Sequence, residues 1–99
     1  MDDAFDGVEW DKNKSDWNVE HRGFGFEIAA EVFIGDHLES ELPSRESGEV
    51  RLIAIGSVDD RIVTVIWTLR GSNRRIISAR LASKKERRIY RAFREKEAF

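Results

Sequence analysis

The run Arg61-Ile62-Val63-Thr64-Val65-Ile66-Trp67-Thr68-Leu69, the break Gly71-Ser72-Asn73 and the run Arg74-Arg75-Ile76-Ile77-Ser78-Ala79-Arg80 decide the fold. β-Branched and aromatic side chains fill the first run. They lose χ1 freedom in a helix and pack well on a pleated surface, so Arg61 to Leu69 is the expected central strand. A tight Gly-containing turn joins it to the second run, which makes the two antiparallel neighbours. Upstream, Val50 to Gly56 reads as a further strand, with Ser57-Val58-Asp59-Asp60 as a four-residue hairpin connection. His37 to Leu42 reads as an edge strand, and Pro43 to Gly48 as a polar loop. Downstream, Ser83 and Glu86 form a capping box that starts a helix running toward Lys96, with Ile89, Tyr90 and Phe93 as its inward stripe.

The first third of the chain has a different period. Val8-Glu9-Trp10 is a short strand, and Asp11 is a good N-cap for a helix over Lys12 to Arg22 that Gly23 ends. Phe26, Ala29, Ala30, Val32 and Phe33 share one face of a second helix that stops near Gly35. The expected fold class is α+β, with an antiparallel three- to four-stranded sheet, two N-terminal helices and one C-terminal helix on one sheet face.

Composition bounds the rest. Ninety-nine residues at 11.5 kDa suffice for one core, so a single domain is expected over residues 1–99, with 1–7 a loose acidic start and 97–99 a tail. There is no cysteine, which excludes a disulfide scaffold, a thiolate zinc site and a cysteine nucleophile. His21 and His37 are the only histidines and neither stands at metal-ligand spacing, so no metal and no cofactor are expected. The longest mostly apolar run, Ile62 to Leu69, is far short of the ~20 residues that span a bilayer. The acidic N-terminus is unlike a signal peptide, so a cytoplasmic location without membrane contact is expected.

The net charge of -2 conceals an asymmetry. Residues 1–50 hold 14 acids and four Lys/Arg, a net of -10, whereas residues 51–99 hold five acids and 13 Lys/Arg, a net of +8. Such a split suits a polyanion partner for the basic half, or a dipole whose halves neutralise each other. Arg74, Lys84, Lys85, Arg87, Arg88 and Arg91 form the stripe expected to bind nucleic acid by counterion release. In a regular strand Arg75, Ile77 and Ala79 share one face, with Ile77 and Ala79 in the core, and Arg74, Ile76, Ser78 and Arg80 share the other. Arg80 then lies beside the helix N-terminus at Ser83, where a phosphate would meet its guanidinium and free N–H donors. The alternative for Arg80 is a structural pair with Glu86. Tyr90 suits a core position, a base-stacking platform or a proton carrier.

Four segments carry a family likeness. They are Glu9-Trp10-Asp11 with Lys14 and Asn18; Gly23 with Phe26, Ala29 and Phe33; Gly56, Arg61 and Val63; and Arg75 to Arg80 followed by Ala82, Lys85-Glu86-Arg87 and Tyr90. The chain resembles the BrnT family of bacterial type II toxins, whose fold is similar to RelE ribonucleases. The family's usual Lys-His-Gly stands here as His21-Arg22-Gly23, with the basic residue and the imidazole exchanged. The resemblance implies an endoribonuclease that arrests growth by cutting RNA. It also implies neutralisation by a cognate BrnA-type antitoxin, a ribbon-helix-helix DNA-binding protein through which alone operator DNA would be contacted.

The chemistry needs a base for the RNA 2′-OH, cations for the pentacoordinate phosphorus and an acid for the leaving 5′-oxygen. Arg75, Arg80 and Arg61 are the candidates for charge stabilisation without a metal. His21 is the candidate acid or base, since imidazole ordinarily titrates near about 6.5. Tyr90 and Glu86 are its substitutes, and Arg22 stands where the family carries its histidine. The alternatives are a non-catalytic RNA- or ribosome-binding module and a protein-interaction domain.

Overall fold

The computed structural model describes residues 7–43 and 49–97. Along the chain run β1 (Gly7–Trp10), α1 (Lys12–Arg22), α2 (Phe26–Ala29) with a 3-10 turn over Ala30–Phe33, β2 (His37–Leu42), β3 (Arg51–Val58), β4 (Arg61–Arg70), β5 (Asn73–Leu81) and α3 (Lys84–Glu97). The strands form one five-stranded sheet in the order β1-β5-β4-β3-β2. The expected antiparallel sheet of three to four strands is therefore corrected to a mixed one, because β1 adds parallel to β5. The cause is amphipathic: Val8 and Trp10 pack on the core, while Glu9 between them reaches Arg75 at 2.7 Å and Asn73 at 2.9 Å. The reading of residues 1–7 as loose ends at Gly7, which already pairs with Asn73; residues 1–6, 44–48 and 98–99 lie outside the described residues.

Local chemistry places α1 as expected. The Asp11 carboxylate accepts from the N–H groups of Asn13 and Lys14, and Gly23, at φ 89°, ends the helix. The expected second helix is one α-turn that tightens into the 3-10 turn. A period of three puts Phe26, Ala29 and Val32 in one row against the sheet, all at most 2% exposed. That row approaches β3 closely at Gly56, where an added Cβ would stand 3.0 Å from Val32 Cγ1.

The main core lies between this row and the sheet residues Ala54, Val58, Val63, Val65, Trp67, Ile76 and Ala79. The helices do not share one face, contrary to expectation. Thr64 alternates with the core residues Val63 and Val65 and points the opposite way, where it donates to Glu86 of α3 at 3.0 Å. The second face of the sheet therefore carries α3. Within α3, Tyr90 is buried, but Ile89 is 47% exposed and not part of the inward stripe.

The β3–β4 connection is two residues, shorter than the expected four. Val58 pairs with Arg61, and Asp59 and Asp60 both take positive φ, 51° and 65°, as the tight right-twisted hairpin demands. Glycine removes that strain at the second position. Asp60→Gly is expected to raise stability by about 0.5–1 kcal/mol, or roughly 4 °C in Tm, measured by thermal unfolding.

Candidate active site

β5 holds one residue more than its partner. Ile66 pairs with Ser78 and Trp67 with Ile76, so Ile77 is a β-bulge without a counterpart on β4. The extra residue shifts the alternation by one. Arg75 faces Thr68 and Arg80 faces Thr64, and both threonines lie on the same face of β4. The expectation that Arg75 and Arg80 project from opposite faces is thereby corrected. Ile77 also leaves the core it was expected to share with Ala79: Ala79 is fully buried, whereas Ile77 is half-buried at the surface.

α1 runs beside this bulge. β1 ends where Trp10 pairs with Ile76, so the rest of β5 lacks a strand on that side. Arg22 takes the missing strand's place and donates to the Ala79 carbonyl at 2.9 Å. Its guanidinium also stands 5.1 Å from the centre of the Trp17 ring. Lys14, Trp17, Asn18 and Arg22, a single face of α1 by spacing, line a groove of about 260 Å³ with Phe26, Ile77 and Ser78.

A second groove, of about 230 Å³, adjoins it and shares Lys14 and Ile77. Its remaining walls include Arg51, Arg70, Arg75 and Thr68, with Asp11 and Glu49. The acids here have work already assigned: Asp11 caps α1, and Glu49 lies 3.5 Å from Arg51. Arg75 is held by Glu9, and the Asn73 amide and Arg75 guanidinium keep that carboxyl below its usual range. Cations from α1, β3, β4 and β5 thus meet around one bulge.

His21, in the last turn of α1, lines neither groove and meets the wall of the first one only at Trp17. Its ring stacks on Trp17, centroids 4.2 Å apart, and Nδ1 lies 2.9 Å from the Trp17 carbonyl. A carbonyl only accepts, so the neutral ring carries its proton on Nδ1 and its lone pair on Nε2. That is the tautomer a general base needs on its outward nitrogen.

The other sequence candidates are dispersed. Arg80 does not offer its fork to an incoming phosphate: it bonds both oxygens of Glu86, at 2.7 and 3.0 Å. Glu86 also accepts from Ser83 N–H and Thr64, so the anion expected at the N-terminus of α3 is the protein's own carboxylate. Arg61 lies at the hairpin tip and lines a third groove with Arg87 and Arg91. Tyr90 is buried, with its hydroxyl toward the Asp36 carbonyl, and lines none of these grooves. Arg74 lies over Phe33 and Trp67, 4.4 and 5.2 Å from their ring centres, apart from the α3 stripe. Lys84, Lys85, Arg88 and Arg91 are exposed on α3, while Arg87 reaches the Ala82 carbonyl. Sequence reasoning did not single out Lys14, Trp17, Arg51 or Arg70, which line these grooves, as site candidates. The spacing of Lys14, Trp17, Asn18 and Arg22 was the signal available for the α1 face.

The family model for the ribonuclease toxin BrnT of type II toxin–antitoxin systems matches residues 10–86. The chain belongs to the BrnT family. No curated protein matches it. The matched span covers α1, all of β2 to β5 and the capping box, and so includes every residue of the two adjoining grooves. BrnT proteins are ribonuclease toxins of type II systems, a description that implies an antitoxin partner. Among the described residues no helix is long and apolar enough to cross a membrane.

Glu86 has a measurable signature in this BrnT chain. Bonds from Arg80 first, then from Ser83 N–H and Thr64, lower its carboxyl pKa from 4.5 to about 2. A depressed carboxyl contributes stability above its unfolded pKa and loses it as pH falls through the folded one. Stability is therefore expected to decline between about pH 4.5 and pH 2, and Glu86→Ala is expected to flatten that decline. At neutral pH the variant should lose about 2 kcal/mol, a cap and a half-exposed ion pair together, read by urea unfolding.

Proposed function

We propose that this BrnT chain is an endoribonuclease whose reaction takes place where α1 crosses the β5 bulge. The observation that carries the reading is the convergence of Lys14, Arg22, Arg51, Arg70 and Arg75 on two grooves joined at Lys14 and Ile77. The RNA 2′-OH attacks the adjacent phosphorus, the 5′-oxygen leaves, and a 2′,3′-cyclic phosphate remains. His21 accepts the 2′-OH proton on Nε2. Lys14, Arg22 and Arg75 stabilise the charge that grows on the phosphorane oxygens, where fixed cations act most strongly. Arg75 is pre-oriented by Glu9, so it needs little reorganisation. Lys14 also suits proton donation to the leaving oxygen.

No metal is required in this mechanism, because the cations supply the positive charge. The exposed Lys84, Lys85, Arg88 and Arg91, together with Arg61 at the hairpin tip, extend the cationic surface for the flanking strand. The partner is a BrnA-type ribbon-helix-helix antitoxin, and the activity arrests growth in the cytoplasm when that antitoxin is lost. Arg80 and Tyr90 belong to the scaffold of the site rather than to its chemistry.

Cleavage is expected to persist in EDTA and to yield ends carrying 2′,3′-cyclic phosphate. His21→Ala should slow single-turnover cleavage by about 10²- to 10⁴-fold, the usual contribution of one acid–base group, with Tm nearly unchanged. Cleavage that requires added Mg²⁺, or 3′-hydroxyl products, would refute the mechanism.

A further inference from the structure

The two adjoining grooves differ in chemistry. The one lined by Arg51, Arg70 and Arg75 is polar and cationic, suited to phosphate. In the other, the apolar surface of Trp17, Phe26 and Ile77 dominates, with Asn18, Arg22 and Ser78 at its margins. Phe26 is 2% exposed and can only be its floor, whereas Trp17 is 47% exposed and half-buried Ile77 is turned outward by the bulge. An apolar slot beside a cationic one, connected through Lys14, matches the alternation of base and phosphate along single-stranded RNA. The slot's volume, about 260 Å³, is below the ~300 Å³ at which pockets begin to hold drug-sized ligands, and so suits one flat ring system.

We infer that the groove between Trp17 and Ile77 is a nucleobase subsite. It takes one unpaired base of the RNA while the adjoining phosphates lie on Arg51, Arg70 and Arg75. This rests on the proposed ribonuclease reading and adds what that reading lacks, the substrate class: single-stranded RNA, gripped by a base as well as by its backbone. A base in a duplex is stacked and paired, and could not enter the slot without being extruded. Apolar walls act on the π-face of any base, and the polar margins from Asn18, Arg22 and Ser78 are where one base would be preferred over another.

The test uses the full chain and 2′-O-methyl hexanucleotides of adenine and of uracil, which cannot react by internal attack, beside a matching hexamer of abasic 2′-O-methyl ribose phosphates. Affinities are measured by fluorescence anisotropy at fixed salt. The intact strands are expected to bind about tenfold more tightly than the abasic one, within the range of a single base–aromatic contact. Trp17→Leu and, independently, Ile77→Ser should each bring that ratio, measured within the variant, close to one. Thermal melting establishes that each variant is folded. Equal affinity of the wild-type chain for intact and abasic strands would overturn the subsite and leave the ribonuclease reading standing, as would a ratio that survives in both folded variants. Failure of every strand to bind would instead overturn the RNA reading itself.

Discussion

The single residue Ile77, inserted into β5 without a partner on β4, sets the geometry on which the site depends. A strand that kept its alternation from Arg75 onward would turn Ile77 and Ala79 to the same face and Arg80 to the other. The inserted residue reverses the alternation midway. Ile76 and Ala79 both reach the core, and Arg75, Ser78 and Arg80 all keep to the second face. The same insertion leaves Ile77 at the surface, where α1 passes, and makes it a wall common to both grooves. The short β1 adds the complementary constraint. Because it stops opposite Ile76, the edge of β5 beyond it is open for Arg22 to reach Ala79.

The opposing charges of the two halves have a structural outcome that net charge hides. Acids of the first half meet bases of the second at Glu9–Arg75 and Asp36–Arg94, each at 2.7 Å. Within the second half, Glu86 pairs with Arg80. These pairs hold β1 to β5, α3 to the start of β2, and α3 to the sheet. They engage their cations to different extents: Arg75 reaches Glu9 through Nη1 alone, whereas Arg80 reaches Glu86 through both Nη1 and Nη2. Arg80 is committed to Glu86, whereas Lys14 and Arg70 stand exposed on the groove walls. Surface pairs stabilise little by themselves, so their larger effect here is to fix where the positive surface lies.

Most of the fold was legible where local chemistry decides it. The N-cap at Asp11, the stop at Gly23, the strand over the β-branched run and the capping box of Ser83 and Glu86 are all read from neighbours in sequence. The short strand at Val8 to Trp10 was legible, but its place in the sheet was not, because its parallel partner lies more than sixty residues away. The bulge was illegible for a different reason: Arg74 to Arg80 alternates acceptably in either register, and the interruption shows only in the pairing of Ile66 with Ser78 and Trp67 with Ile76. Hence Arg75 was legible as a candidate, while its relation to Arg80 was not. Arg51 and Arg70 contributed only to the charge count, because their convergence with Lys14 exists only once the sheet is assembled. The likeness to BrnT was legible in the segment from Arg75 to Tyr90, and the family match over residues 10–86 bears it out.

The account centres on RNA lying across the Ile77 bulge. The most direct measurement is ¹⁵N-resolved NMR of the chain titrated with a non-cleavable 2′-O-methyl RNA strand. The account predicts the largest shifts at Lys14, the Trp17 indole, Arg22, Ile77, Ser78 and Arg75, with smaller ones along the exposed residues of α3. Shifts confined to α3 and the surroundings of Arg80 and Glu86, with the bulge and α1 unmoved, would contradict it.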